Sequence, residues 1–193
     1  MPHISLPPGA PGMVALRSYR PDVYQRLASL ADLMLQQITP GSTITPGERE
    51  LIASYVSSLN HCEYCCLSHG AVSAAHLQDR AVVDDVQQYS ASSKVSAKVK
   101  ALLEIAAVVQ KSGSPDVTPE AIEAAKNEGA TEMDIHDTVF IAAMFCMFNR
   151  YVDGLKTEMP SDIEAFIGRG GIIAENGYGQ APPASGVQGD KAR

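Results

Sequence analysis

Apolar residues recur at intervals of three and four along most of this chain, which is the spacing of side chains on one face of an α-helix. The clearest stripe, in residues 94–111, consists of Val95, Val99, Leu102, Leu103, Ala106 and Val109. Alternating segments rich in Val, Ile and Thr, which would indicate strands, are hard to find. The sequence therefore predicts an all-α protein.

Helix start signals locate two consecutive helices in the first half of the chain. Thr45, Pro46 and Glu48 supply an N-cap, a proline at the first helical position and the acid of a capping box, which predicts a helix over 46–59. Asn60 and His61 interrupt it, and a second helix is predicted from Cys62 to about residue 78. The same signals predict further helices over 21–37, 81–89, 94–111, 118–129 and 131–154.

Composition divides the chain into three parts. We expect residues 1–20 to form an N-terminal arm, 21–167 a helical domain and 168–193 a flexible C-terminal tail. The last expectation rests on the Gly, Pro, Ala, Ser and Gln content after Gly168.

Charge and hydropathy exclude two classes of partner. The chain carries 15 basic and 22 acidic residues, a net charge of −7, and no cluster of Lys or Arg that would bind a phosphate backbone. The longest apolar run, 139–148, is about half the length of a membrane span. With no signal peptide expected in residues 1–12, we expect a cytoplasmic protein that binds neither nucleic acid nor membrane.

The motif that indicates chemistry is Cys62-x-x-Cys65 followed by His69. Residues three apart on a helix place their Cα atoms about 5 Å apart, within the range of roughly 4.4–6.8 Å that a disulfide accepts. His69, four residues after Cys65, lies on the same helical face. Cys62 at the first turn would also experience the helix dipole, which favours a thiolate near neutral pH.

An antiparallel hairpin about His61 would bring Glu50 close to His69. Counted from the turn, the two positions differ by three residues, an axial offset of about 4.5 Å. Glu48 is closer, but the capping box with Thr45 uses it. Glu50 is therefore predicted to orient His69, and His69 to deprotonate a thiol, with Cys65 the better placed of the two.

Glu50 with Cys62-x-x-Cys65-x-x-x-His69 resembles the signature of the alkyl hydroperoxidase D and carboxymuconolactone decarboxylase superfamily, in its branch of peroxidase-related proteins. The likeness covers residues 11–155. It implies an AhpD-like helical bundle, built around the hairpin that carries the motif, and assembly into trimers or hexamers.

The resemblance also implies roles for single residues. Cys65 matches the cysteine that peroxide oxidises to a sulfenic acid, and Cys62 the one that resolves it into a disulfide, while Glu50 and His69 match a proton relay. Well-studied members have a histidine between the cysteines where this chain has Tyr64, whose hydroxyl can donate a hydrogen bond but is a poor base near neutral pH.

These observations predict a thiol-dependent hydroperoxidase or related disulfide oxidoreductase without haem, flavin or metal. Its partners would be a hydroperoxide substrate, an external dithiol reductant and further copies of the chain. Catalytic residues would be Cys65, Cys62, His69, Glu50 and Tyr64.

Three alternatives remain open. The cysteines and His69 could supply three zinc ligands, with a fourth from His61, His76 or another subunit. The pair could sense redox state in a non-catalytic oligomer. The chain could also be a decarboxylase of the same superfamily, although those members generally lack the cysteine pair.

Overall fold

A computed structural model describes residues 1–88, 94–112, 117–160 and 162–179. Within them the chain forms nine α-helices, and no strand. The helices are α1 (Gly12–Tyr19), α2 (Pro21–Ala31), α3 (Pro46–Leu59), α4 (Glu63–Leu77), α5 (Arg80–Gln87), α6 (Ala97–Ser112), α7 (Pro119–Asn127), α8 (Glu132–Gly154) and α9 (Glu164–Asn176). The predicted all-α class is confirmed.

Helices α3 and α4 form the predicted antiparallel hairpin. Thr45 and Glu48 close the capping box at the start of α3, and His61 makes the turn with a left-handed backbone (φ +58°). Along the hairpin, the Ser73 hydroxyl donates to Gly47 O (2.9 Å) and the Ser54 hydroxyl to Cys66 O (2.9 Å). These bonds fix the register of the two helices.

The main core lies where α3 packs against α6 and α8. Its fully buried members include Leu51, Ile52, Val56, Leu102, Ile105, Ile141 and Phe145. A smaller cluster surrounds the cysteines and consists of Leu16, Cys62, Tyr64, Cys65, Ala71, Val152 and Phe166. The arm helix α1 thus covers the thiols instead of lying apart from the fold.

Two sequence predictions need correction. The helix predicted over 21–37 is α-helical only to Ala31 and continues as a π-helical turn, Asp32–Gln36. The flexible tail predicted from Gly168 is wrong for the described part, because α9 continues to Asn176 and buries Gly170 and Ile173. Gly170 allows α9 to approach the backbone of α4 closely, so helix packing outweighs the low helical propensity of glycine.

Two predictions lie partly outside the described residues: the end of the helix predicted over 81–89, at residue 89, and residues 180–193 of the predicted tail. No helix in the part that the structure describes combines the length and the apolar character that a membrane span requires.

Candidate active site

Glu50 and His69 form a hydrogen-bonded pair across the hairpin. Their Oε2 and Nδ1 atoms are 2.7 Å apart, Glu50 is fully buried and His69 is 8% exposed. Because a carboxylate only accepts hydrogen bonds, Nδ1 donates to it, and in the neutral imidazole Nε2 then keeps its lone pair. The predicted contact is present, and it leaves His69 in the tautomer of a base.

A second chain of polar contacts reaches Glu50 from the π-helical turn. Gln36 Nε2 donates to Glu50 Oε1 (2.5 Å), and Gln36 Oε1 is 2.9 Å from His76 Nε2. His76, which the sequence offered only as a possible zinc ligand, therefore supports the amide that holds Glu50.

Tyr178 is a site residue that the sequence analysis missed. Its hydroxyl lies 2.8 and 3.0 Å from the two carboxylate oxygens of Glu50 and 2.8 Å from Nδ1 of His69. Burial, and then the charge of Glu50, raise the pKa of Tyr178 well above its usual value. The only sequence signal was an aromatic residue between two glycines in a segment of tail-like composition.

The thiols of Cys62 and Cys65 are buried at the start of α4. The interaction with the Cys62 thiol, and then burial, raise the pKa of Cys65 well above its ordinary value, while the interaction with Asn149 lowers it. Asn149 is itself buried and held by Ser57 (3.0 Å). The resting form of Cys65 near neutral pH is therefore the thiol.

Asp153, near the end of α8, is a second residue that the sequence analysis missed. Its charge raises the pKa of Cys65. Desolvation by the surrounding protein raises the pKa of Asp153 itself, while the interaction with Cys62 lowers it. The cysteine pair thus has an acid of its own, distinct from Glu50.

Tyr64 lies against α1 and α9. Its ring packs edge-on against Phe166 (5.7 Å between centroids), and Gly12 faces it with no room for a side chain. Burial raises the pKa of Tyr64 to about 12. The hydroxyl of Tyr64 therefore keeps its proton near neutral pH.

The two remaining cysteines are Cys66, which follows Cys65 on α4, and Cys146 on α8. Burial raises the pKa of Cys66 to about 11, and its backbone carbonyl accepts hydrogen bonds from Ser54 and Gln87. Cys146 packs against the main core, with Asn60 Nδ2 3.7 Å from its sulfur. Both fit a packing role.

A small cavity of about 60 Å³ opens beside His69. Tyr24, Tyr64, Ser68, Arg169 and Tyr178 provide its polar lining. Its apolar lining consists of Met13, Leu27, Ala28, Ala31, Phe148 and Ile173. The cavity can admit a small polar group next to the imidazole.

No group of three or more His, Cys, Asp or Glu side chains in the described ranges is arranged to hold a metal ion. The zinc alternative therefore finds no ligand set among these residues. The structure instead pairs Glu50 on α3 with His69 on α4, and places Cys62 and Cys65 at the start of α4, with Cys65 one helical turn before His69.

No protein-family model and no curated protein matches the chain. Solved structures do match it. The alkylhydroperoxidase AhpD core of an uncharacterized peroxidase-related protein from Ralstonia eutropha JMP134 is 25% identical, with a TM-score of 0.71 over 81% of this chain and 79% of that one.

Two further structures share the fold. An uncharacterized peroxidase-related protein from Silicibacter sp. TM1040 is 22% identical, with a TM-score of 0.66 over 78% of this chain and 77% of that one. A protein of unknown function from Agrobacterium tumefaciens, whose name suggests antioxidant defence (AhpD), is 15% identical, with a TM-score of 0.65 over 78% of this chain and 99% of that one. The chain therefore has an AhpD-like fold and is similar to the peroxidase-related proteins that share it.

Proposed function

We propose that this chain is a thiol-dependent hydroperoxide reductase, or a closely related disulfide oxidoreductase, that works through Cys62 and Cys65. The observation that carries the proposal is the placement of these two buried thiols at the start of α4, with Cys65 one helical turn before the His69 that Glu50 holds. A dithiol next to an oriented base can be oxidised and reduced reversibly.

The reaction would proceed in two oxidative steps. The Cys65 sulfur attacks the terminal oxygen of a hydroperoxide, the O–O bond breaks, and the products are a sulfenic acid and an alcohol. Cys62 then attacks the sulfenic sulfur, which forms the disulfide and releases water. An external dithiol returns two electrons and two protons and restores both thiols.

The raised pKa of Cys65 means that its thiol must lose a proton when the substrate arrives. His69 Nε2, free of the Glu50 contact, is the base one turn away, and Asn149 stabilises the thiolate once it forms. Tyr64 would donate a hydrogen bond in the cavity beside His69. Because both sulfurs are buried, the substrate reaches them only when the cover over α4 opens.

Titration of free thiols tests the proposal. The reduced chain has four cysteines, and a slight excess of cumene hydroperoxide should remove two thiols and decrease the mass by two hydrogens. Cys65→Ser should abolish this loss, and Cys146→Ser, the matched control, should leave it unchanged. Four intact thiols after peroxide treatment would refute the proposal.

Dimedone labelling assigns the two sulfurs. In Cys62→Ser the sulfenic acid cannot be resolved, so we expect a dimedone adduct on Cys65. An adduct on Cys62 in the Cys65→Ser variant, with none on Cys65 in Cys62→Ser, would reverse the two roles.

We further propose that the protein works in the cytoplasm as a homo-oligomer, with the dithiol supplied by another protein. A steady rate of peroxide consumption with an added dithiol would distinguish an enzyme from a redox sensor, which is oxidised once. The solution mass of the reduced protein tests the oligomer.

A further inference from the structure

The segment after α9, residues 177–179, is hydrogen-bonded to the π-helical turn, and we call it the C-terminal strap. Asp32 accepts hydrogen bonds from the backbone N–H groups of Tyr178 (2.5 Å) and Gly179 (3.0 Å). Gly177 has a φ of +76°, and a Cβ there would lie 2.8 Å from Asp32 Oδ1. The strap therefore needs a glycine at 177 to reach its anchor.

The anchor aims the Tyr178 side chain at the Glu50–His69 pair. Its hydroxyl contacts both oxygens of Glu50 and Nδ1 of His69, all within 3.0 Å. The phenol has a single proton, and Nδ1 already donates to Glu50, so the phenol proton is donated to the carboxylate. Glu50 thus shares its charge among His69, Gln36 and Tyr178.

We propose that Tyr178 is a positioning residue for the Glu50–His69 pair, delivered by the C-terminal strap and acting through the carboxylate of Glu50. The inference rests on the proposed function, because the imidazole that it positions is the proposed base. The phenol fixes both oxygens of Glu50 and reduces the hold of the carboxylate on the imidazole, which leaves Nε2 available for proton transfer.

The surroundings of the Glu50–His69 pair keep the phenol of Tyr178 protonated. Its hydroxyl is enclosed next to a buried carboxylate, and it stays protonated across the working range of pH. The other titratable or charged groups packed around the pair are Tyr24, Asp32, Tyr64, Cys65, His76 and Arg169.

The test is the pH dependence of peroxide-driven disulfide formation in Tyr178→Phe. Without the phenol, Glu50 keeps its full charge for His69 and the imidazole holds a proton more strongly. The acid limb of the rate profile should then move to higher pH by about one unit, the size expected for loss of one charge-assisted hydrogen bond. A tyrosine that only packs would change the rate without moving this limb.

A second measurement needs no activity. Nitrogen NMR of His69 in the reduced protein should show a changed Nδ1 signal in Tyr178→Phe, because this nitrogen loses its neighbour at 2.8 Å. Tyr19→Phe, at a residue that is 52% exposed, is the matched control and should change neither the NMR signal nor the profile. If Tyr178→Phe fails to fold, Asp32→Asn, which loosens only the strap, should give a smaller shift in the same direction.

The outcomes separate the two proposals. An unchanged Nδ1 signal and an unmoved acid limb in folded Tyr178→Phe or Asp32→Asn would overturn the role of Tyr178, whatever the peroxide chemistry. A wild-type protein inert to peroxide, with the Nδ1 signal shifted in Tyr178→Phe, would refute the proposed function but retain the contact that positions His69.

Discussion

At the scale of single residues, the acidity of the cysteines depends on their neighbours more than on their place in a helix. Cys62 is the N-cap residue of α4, and Cys65 lies in its first turn, where the helix dipole favours a thiolate. Nevertheless the pKa of Cys65 is raised, because the Cys62 thiol interacts with it and the site excludes water. Reactivity at this site must therefore come from groups that accept the thiol proton or stabilise the thiolate.

Asp153→Asn should lower the pKa of Cys65, because the carboxylate charge of Asp153 is one of the causes that raise it. Alkylation of Cys65 by iodoacetamide at neutral pH should then become faster by about threefold, the effect of one partly exposed charge. Peptide mass spectrometry across a pH series would measure it residue by residue.

Glu158→Gln offers a control for this substitution, because it removes an exposed carboxylate near the same end of α8. Its effect on Cys65 should be small. Slower alkylation of Cys65 in Asp153→Asn would show that the carboxylate assists loss of the proton, contrary to this expectation.

At the scale of helices, the packing of α9 on α4 decides whether the site is complete. Gly170 is the close contact, since a Cβ at this position would lie 2.7 Å from the backbone carbon of Ala71. Any separation of α9 from α4 also moves the C-terminal strap and Tyr178, which follow α9 directly. The close contact at Gly170 therefore affects both the packing of α9 on α4 and the position of Tyr178 at the Glu50–His69 pair.

Gly170→Ala should decrease the free energy of unfolding by about 1–2 kcal/mol, because overpacking outweighs the gain in helix propensity. Gly171→Ala is a matched control in the same helix, since nothing lies within 4 Å of a Cβ there. It should stabilise the protein by roughly 0.5–1 kcal/mol. Urea unfolding measures both, and equal stability of the two variants would contradict the proposed close contact.

At the scale of the whole molecule, Asp134 connects the loop before α3 to the start of α8. Its carboxylate accepts hydrogen bonds from the backbone N–H groups of Thr43 (2.6 Å), Ile44 (3.1 Å) and Thr131 (3.0 Å), and from the hydroxyls of Ser42 and Thr43. Burial alone would raise the pKa of Asp134, but these bonds hold it well below its usual range. The folded state therefore favours the ionised carboxylate.

The consequence is a loss of stability in acid. A carboxyl group whose pKa is lower in the folded chain contributes fully above its unfolded pKa of about 4, and its contribution is lost as the pH falls toward the folded value. Asp134→Asn should reduce the free energy of unfolding at pH 7 by about 2 kcal/mol. The difference from wild type should then shrink below about pH 4.

Urea unfolding at several pH values measures this effect. Glu132→Gln is the control, because Glu132 lies in the same helical turn with a side chain that is 90% exposed. A constant difference between wild type and Asp134→Asn from pH 7 to pH 3 would exclude the ionised carboxylate as its cause.

The sequence alone determined helices α3 to α8, the hairpin and the contact between Glu50 and His69. Each depends on local signals: apolar periodicity, the capping box of Thr45 and Glu48, and the fixed rise of a helix, which sets the register of two neighbouring helices about a short turn. The motif of Cys62, Cys65 and His69 could be placed on one helix for the same reason.

Tertiary structure alone decided the rest of the site. Tyr178 and Glu50 are 128 positions apart, and no local pattern relates them. The close approach of α9 to α4 and the anchor at Asp32 bring them together, in a segment whose composition suggested a loose tail. The raised pKa of Cys65 likewise follows from burial and from charges that only the folded chain brings near, because hydration and long-range contacts, unlike helix periodicity, are properties of the assembled core.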